Sequence, residues 1–196
     1  MRIFVAGASG VLGMRLVQLL TSQDHRVIGM TRSPSKLELL RSLGADPVVC
    51  NVFDSKALQE AVKLARPEVI IDELTDLPDD PARIQEFGVL NNRIRREGTA
   101  NILAAAKEVG VNRVLVQSVA WTLLGDGEGA IRDLERMVLE AGGLVLRYGQ
   151  LYGPGTYYVE KLPSPPRVQI DEAARRTVAA LNANPGIVTI EDSDGS

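Results

Sequence analysis

The stretch Gly7-Ala8-Ser9-Gly10-Val11-Leu12-Gly13 follows the apolar run Ile3-Phe4-Val5-Ala6 and opens a segment with Leu12, Leu16, Leu19 and Leu20 at helical spacing. Its three glycines make separate demands on a strand-to-helix turn. Gly7 permits the tight turn, Gly10 leaves room for backbone to approach a pyrophosphate, and Gly13 lets helix and strand pack closely. The exposed amides at the helix start, those of Val11 and Leu12 among them, favour the charge of a diphosphate. Ser9 either adds a hydroxyl donor or satisfies the turn itself. Three glycines alone are a weak signal, but the strand–turn–helix setting raises them to a dinucleotide-binding turn.

Outward from this turn, strand-like and helix-like segments alternate. Further short apolar strands are expected over 26–30, 47–50, 69–71, 113–117, 144–146 and 187–190. Between them, Pro34 opens a helix carrying Leu37, Leu40 and Leu43, which Gly44 terminates. Asp54 or Ser55 caps a helix with Leu58, Ala61, Val62 and Ala65 on one face. A long helix is expected over 85–109, with Leu90, Ile94, Gly98, Ile102 and Ala106 on its apolar face and Gly98 letting the sheet approach. Two more helices present Ile131, Leu134 and Val138, and then Ala174, Thr177, Val178 and Leu181. The acidic, proline-bearing stretch 72–81 reads as a loop, and 149–166 as a long surface loop without periodicity.

Repeated strand–helix–strand units imply right-handed crossovers. The expected fold is therefore α/β: a Rossmann-type, doubly wound parallel sheet of about seven strands in a three-layer α/β/α arrangement. A flavodoxin-like sheet shares that rhythm, and the glycine turn separates the two. The whole of 1–196 reads as a single dinucleotide-binding domain whose substrate side, about 149–170, is reduced.

Composition narrows the function. Of the 196 residues 45% are hydrophobic but only 4% aromatic, which favours parallel strands under helices over a sandwich. A net charge of −3 gives no footprint for nucleic acid. Arg93, Arg95 and Arg96, interleaved with Glu97, read as a solvated or salt-bridged face. Cys50 and His25 are each the only residue of their kind, which excludes an internal disulfide and multi-cysteine or histidine-rich metal sites. No apolar run reaches the length of a membrane span, and a cytoplasmic location is the expectation.

The end of the second strand bears on the cofactor. In NAD-binding versions of this turn an acid about 20 residues on bonds the ribose hydroxyls. Gly29, Met30, Thr31, Arg32 and Ser33 include no acid. Arg32 is placed to pair with a 2′-phosphate and Ser33 to donate a second bond, unless Arg32 is simply a solvated loop residue. The expected cofactor is NADP, with NAD as the alternative.

At this point the chain resembles the extended short-chain dehydrogenase/reductases and their NAD-dependent epimerase/dehydratase relatives. The resemblance is carried by the glycine turn and by Thr31-Arg32-Ser33-Pro34, Asn51-Val52-Phe53-Asp54, Glu97-Gly98-Thr99-Ala100-Asn101, Gln117-Ser118-Val119-Ala120 and Leu151-Tyr152-Gly153-Pro154-Gly155. It implies that Asn51 and Val52 lie beside the adenine, and that Leu74 and Thr75 border the nicotinamide ribose. It also implies that Ser118 is the catalytic serine and that Leu151 and Tyr152 border nicotinamide and substrate. Val52 as core, Thr75 as a turn cap and Ser118 as a self-satisfied hydroxyl are the competing structural readings.

Two departures from the family pattern matter. The family's Tyr-x-x-x-Lys pair falls, counting back from Glu135, on Gly127 and Ile131. Neither can transfer a proton. A literal Tyr157/Lys161 pair occurs later, in the glycine- and proline-rich stretch, where it reads as coincidence. The chain also resembles a family member reduced to its nucleotide-binding core, which argues against sugar-nucleotide epimerisation. Three functions stay open: an atypical reductase acting on a small unidentified substrate, a catalytically silent nucleotide-binding redox sensor, and a scaffold associating as a homodimer through the 85–109 helix.

Overall fold

Ile3, Phe4, Val5 and Ala6 are all fully buried, so the first strand is covered on both faces. In the computed structural model, which describes residues 1–78 and 80–193, that strand, β1 (Arg2–Ala6), lies inside a seven-stranded sheet. β2 (Arg26–Thr31), β3 (Asp46–Val49), β4 (Val69–Asp72), β5 (Val114–Val119) and β6 (Leu144–Tyr148) follow in the chain. β7 (Gln150–Tyr152) and β8 (Arg167–Gln169) form a separate parallel pair, and β9 (Gly186–Ile190) closes the large sheet. Its spatial order is β3-β2-β1-β4-β5-β6-β9, with every neighbouring pair parallel.

Helices cover both faces, as an all-parallel sheet requires. On one face α1 (Val11–Ser22), α2 (Leu37–Ser42) and, from the far end of the chain, α7 (Ile170–Ala179) bury Leu16, Leu20, Leu40 and Ala173. On the other, α3 (Ser55–Ala65), α5 (Thr99–Glu108) and α6 (Asp126–Glu140) bury Leu58, Ile102 and Leu134. Asp54, rather than Ser55, caps α3: its Oδ1 accepts the Ala57 amide at 3.0 Å. Strand order reverses between β1 and β4, which opens a crevice at their carboxyl ends. This is the expected three-layer Rossmann-type fold.

Local departures have physical causes. The long helix expected over 85–109 begins as a tight turn, Pro81–Phe87, and continues as α4 (Gly88–Arg93). A wide π turn at Ile94–Gly98 joins α4 to α5. Apolar residues every fourth position outrun the 3.6-residue α-helical period, and the wide turn absorbs the excess. Leu90 is consequently exposed, while Asn91, Asn92 and Arg95 turn inward. Arg95 therefore leaves the solvated arginine face: its Nη1 donates to Asn92 Oδ1 at 3.2 Å. Arg93 and Arg96 do form surface ion pairs, with Glu97 and with Asp126 and Asp133 respectively. Gly98 faces Val52 with room for a side-chain carbon, so close approach of the sheet is not its role.

The expected featureless loop over 149–166 contains β7, which pairs with β8 from Gln150↔Arg167 to Tyr152↔Gln169. Strand partners brought together across a loop leave no periodicity to read. Of the acidic loop expected over 72–81, Asp72 ends β4 and Pro81 opens the tight turn, and residue 79 lies outside the described residues. No helix among the described residues is long and apolar enough to cross a membrane. No group of three or more His, Cys, Asp or Glu side chains among them can hold a metal ion.

Candidate functional site

The glycine turn sits at the crevice between β1 and β4; its Ala8 and Gly10 amides donate to the Met30 and Gly7 carbonyls, at 3.1 and 2.9 Å. Gly10 precedes α1 without a side-chain cap, and the first turn of that helix carries no acid. The opening amides of a helix have no intrahelical partners, so this end keeps its partial positive charge for an anion. Gly7 takes φ +80°, and a side-chain carbon there would stand 2.8 Å from the Glu73 backbone. One on Gly13 would stand 2.2 Å from the Gly7 carbonyl oxygen. At Gly10 the only neighbour is that same oxygen at 3.2 Å, and the residue is exposed. Gly7 and Gly13 thus build the turn, and Gly10 keeps its outer side open. A diphosphate fits this cradle.

Around it, the residues read from the sequence take different roles. Ser9 Oγ and Thr31 Oγ1 are 2.8 Å apart, so the serine ties the glycine turn to the end of β2. Arg32 projects from that same end, largely exposed, and donates from Nη2 to Asp76 Oδ1 at 2.9 Å. Ser33 is partly buried, with its hydroxyl 2.9 Å from that of Ser35. Asn51 Oδ1 accepts the Phe53 amide at 3.1 Å, holding the turn after β3, and Val52 is buried beside Gly98. Leu74 donates its amide to Asp72 Oδ1 at 3.1 Å, and Thr75 is exposed in the crevice loop. Leu151 packs on the α1/α7 core. Burial, followed by the neighbouring Asp192 carboxylate, pushes the Tyr152 phenol up.

Ser118 is buried, and its Oγ donates to Glu135 Oε1 at 2.7 Å. Glu135 also receives Arg147, Nε at 2.8 Å and Nη2 at 2.5 Å. Burial acts to raise the Glu135 carboxyl, but the bonds from Arg147 and Ser118 outweigh it and hold the group below its usual range. Ser118 is thereby occupied in a Ser–Glu–Arg cluster under α6. In the first turn of that helix stands Gly127, and one turn later the buried Ile131.

The segment after β6 closes over the crevice. Arg15 of α1 donates to the Pro154 carbonyl at 2.6 Å and to Asp171 of α7 at 2.7 Å. Further along, the Tyr157 hydroxyl donates to the carbonyl of Pro78 in the loop after β4. The 149–158 segment therefore spans from the diphosphate end of α1 to the β4 loop. Lys161 lies beyond it, exposed.

Sequence reading missed the two acids at the head of β4. Asp72 is buried, and burial pushes its carboxyl up to about 7, against the opposing Leu74 amide bond. Glu73 is pushed up to about 8, by burial first and by the Asp72 charge, against a hydrogen bond from Tyr148. The Tyr148 hydroxyl donates to Glu73 Oε1 at 2.8 Å and stands 2.6 Å from Thr177 Oγ1. The available signal was Ile70-Ile71-Asp72-Glu73: two consecutive acids ending a buried strand beside the glycine turn.

A family model described as NAD(P)H-binding matches residues 7–140, from the glycine turn through α6. The chain belongs to the NAD(P)H-binding family. It is 34% identical over 229 aligned positions to a 3-diazoavenalumate denitrifying reductase from Streptomyces sp, covering 93% of this chain and 73% of that protein. The UDP-glucose 4-epimerase of Thermus thermophilus, solved with NAD, superposes with a TM-score of 0.81 at 17% identity, over 100% of this chain and 79% of the epimerase. That of Thermotoga maritima, solved with UDP-glucose, also reaches 0.81, at 18% identity and 78% of its chain. At such identities the likeness concerns the fold.

Proposed function

We propose that this protein is an NADPH-dependent reductase acting on a small electrophile held beneath the 149–158 segment. The observation that carries this reading is the uncapped, glycine-lined helix start at the switch point, flanked by Arg32 and roofed by the Tyr157–Pro78 contact. When bound, the reduced nicotinamide supplies a hydride. The amides at Val11 and Leu12 hold the diphosphate over the open side of Gly10, and Asn51 and Val52 border the adenine. Arg32 leaves Asp76 to pair with the 2′-phosphate, with Ser33 beside it. Leu74 and Thr75 line the ribose, while Leu151, Tyr152 and the rest of the roof keep water from the reacting end. Ser118 acts through Glu135 as a support of the crevice wall.

The Streptomyces relative is named for a diazo compound and for reduction, which makes diazo and carbonyl electrophiles the two classes to screen. The experiment is calorimetric titration with NADPH and NADH, followed by mass spectrometry of products formed with NADPH deuterated at C4. NADPH binding with deuterium in a product supports the reading; no binding sinks it. A second reading, a silent redox sensor, is favoured by Gly127 and Ile131 and by the sealed Ser118. It predicts NADPH binding with no label transferred to any substrate.

A further inference from the structure

The crevice offers no tyrosine or lysine on α6, and the Ser118 proton is already given to Glu135. Reduction of a carbonyl nonetheless ends with a proton on oxygen. We infer that Glu73, as the neutral carboxylic acid, is the proton donor of this site, an assignment that rests on the reductase reading above.

Geometry carries it. Glu73 immediately follows β4, and its backbone packs against Gly7 of the diphosphate turn, so it lies at the floor of the crevice. Oε1 accepts from the Tyr148 hydroxyl at 2.8 Å. That hydroxyl is also 2.6 Å from Thr177 Oγ1, whose own proton goes to the Ala173 carbonyl at 2.8 Å, so Tyr148 is held from both sides. No donor among the described residues reaches Oε2. Every side-chain polar atom sealed from solvent among these residues has a partner, so Oε2, which has none, is not sealed. One carboxyl oxygen is thus pinned and the other is free to carry a proton to a ligand.

The titratable groups acting on this carboxyl are Tyr148 from β6 and Asp72 from β4; α7 contributes the neutral Thr177, and α1 and α7 neutralise each other's nearest charges in the Arg15–Asp171 pair. Burial and the Asp72 charge favour the protonated form up to about pH 8, so the acid is loaded at neutral pH. A donor whose pKa lies near the working pH is the efficient one.

The step balances with NADPH as reductant. As the substrate carbon gains its hydride, the C=O π pair moves to oxygen, which takes the proton from Glu73 Oε2. The Glu73 O–H bond breaks, its electron pair stays as carboxylate, and solvent entering with product exchange restores the proton. The substrate class is therefore a small carbonyl or quinone-type compound.

Glu73→Gln keeps an oxygen for Tyr148 but removes the proton. For the full-length chain we expect NADPH affinity within about threefold and carbonyl reduction lowered about 10²–10⁴-fold, the usual contribution of a general acid. Difference infrared spectra should show a carboxylic-acid band that titrates near pH 8 and vanishes in Glu73→Gln. Tyr148→Phe removes a bond that favours the carboxylate, so both the band and the alkaline limb of the rate should move to higher pH. Should Glu73→Gln fold poorly, the Tyr148→Phe shift still decides. Turnover retained by Glu73→Gln, or no protonated band at pH 6, overturns the assignment while leaving the reductase reading intact. Failure of the native protein to bind NADPH or to transfer label overturns that reading instead.

Discussion

Arg32 Nη2 and Asp76 Oδ1 meet at 2.9 Å, joining the end of β2 to the loop after β4 across the crevice. The two ends differ in environment: the arginine side chain is 65% exposed and the aspartate 8%. Asp76 is also fixed through its amide, which donates to Asn91 Oδ1 at 3.0 Å. Asp76 therefore stays and Arg32 is free to swing. Only the arginine end is exposed, so a doubly charged phosphate arriving from solvent would compete with Asp76 for Arg32.

From this follows the first expectation, on cofactor choice. Arg32→Ala should weaken NADPH binding about 10–100-fold, the range of a lost charge-assisted hydrogen bond. NADH, which lacks the 2′-phosphate, should change by no more than about twofold. The difference should shrink as salt is raised, because the contact is exposed. Calorimetry at two ionic strengths checks this, and equal losses for both nucleotides would remove Arg32 from phosphate recognition.

The glycines divide into builders and a gate. Gly10→Val meets only the Gly7 carbonyl at 3.2 Å, so a few tenths of an ångström of adjustment accommodates it. Its side chain then fills the approach to the helix amides. We expect an unchanged circular dichroism spectrum with NADPH affinity lowered at least about 100-fold, a loss of roughly 3 kcal/mol. Gly13→Ala puts a carbon 2.2 Å from the Gly7 oxygen and 2.9 Å from Ala8 Cα, so it should lower the melting temperature even without cofactor. Two variants with the same effect on stability would count against the division.

Stability should depend on pH through the acids at the head of β4. Asp72 and Glu73 rise in the folded protein from 3.8 and 4.5 to about 7 and about 8. Between the unfolded and folded values the native state holds more protons than the unfolded one, so stability falls as pH rises. The stabilisation is complete below about pH 4 and is lost by about pH 8. Glu135 contributes with the opposite sign, since its carboxyl is held low by Arg147 and Ser118. Thermal melts from pH 5 to 9 should therefore decline toward the alkaline end, and Glu73→Gln should flatten the decline. A melting temperature that rises over this interval in the native protein would contradict the burial of these acids.

The fold was legible because its signals are local. Ile3 to Ala6, the glycine turn and the leucines of α1 lie within twenty residues, and each later strand repeats the pattern in small. The crevice was legible only in part. Gly7, Gly10, Gly13 and Arg32 act through backbone shape or charge, which the residue type itself declares. Ser118 gave no sign that Glu135 of α6, itself held by Arg147 of β6, would engage it. Glu73 was hidden for the same reason: its partner, Tyr148, lies 75 residues away in the chain. The β7–β8 pairing likewise joins segments across a loop whose own residues carry no period.

The last expectation concerns Tyr157 and Lys161, which match the family's catalytic spacing. Proton transfer needs the donor fixed at hydrogen-bonding distance from the reacting atom. Here the Tyr157 hydroxyl is directed at the Pro78 carbonyl, and Lys161 is exposed in the stretch before β8. The tyrosine therefore works as the fastening of the roof, joining the 149–158 segment to the loop after β4. Tyr157→Phe removes that fastening while keeping the ring. Turnover should change by no more than about threefold, against the roughly 10²–10⁴-fold expected for a general acid. The effect should appear instead as faster proteolysis of the 149–166 segment and faster release of NADPH, measured by stopped-flow fluorescence. Lys161→Met should be silent in both assays, because its exposed ammonium group holds no described residue of the crevice. A hundredfold loss of turnover in Tyr157→Phe, with NADPH release unchanged, would make Tyr157 the proton donor and displace Glu73 from that role.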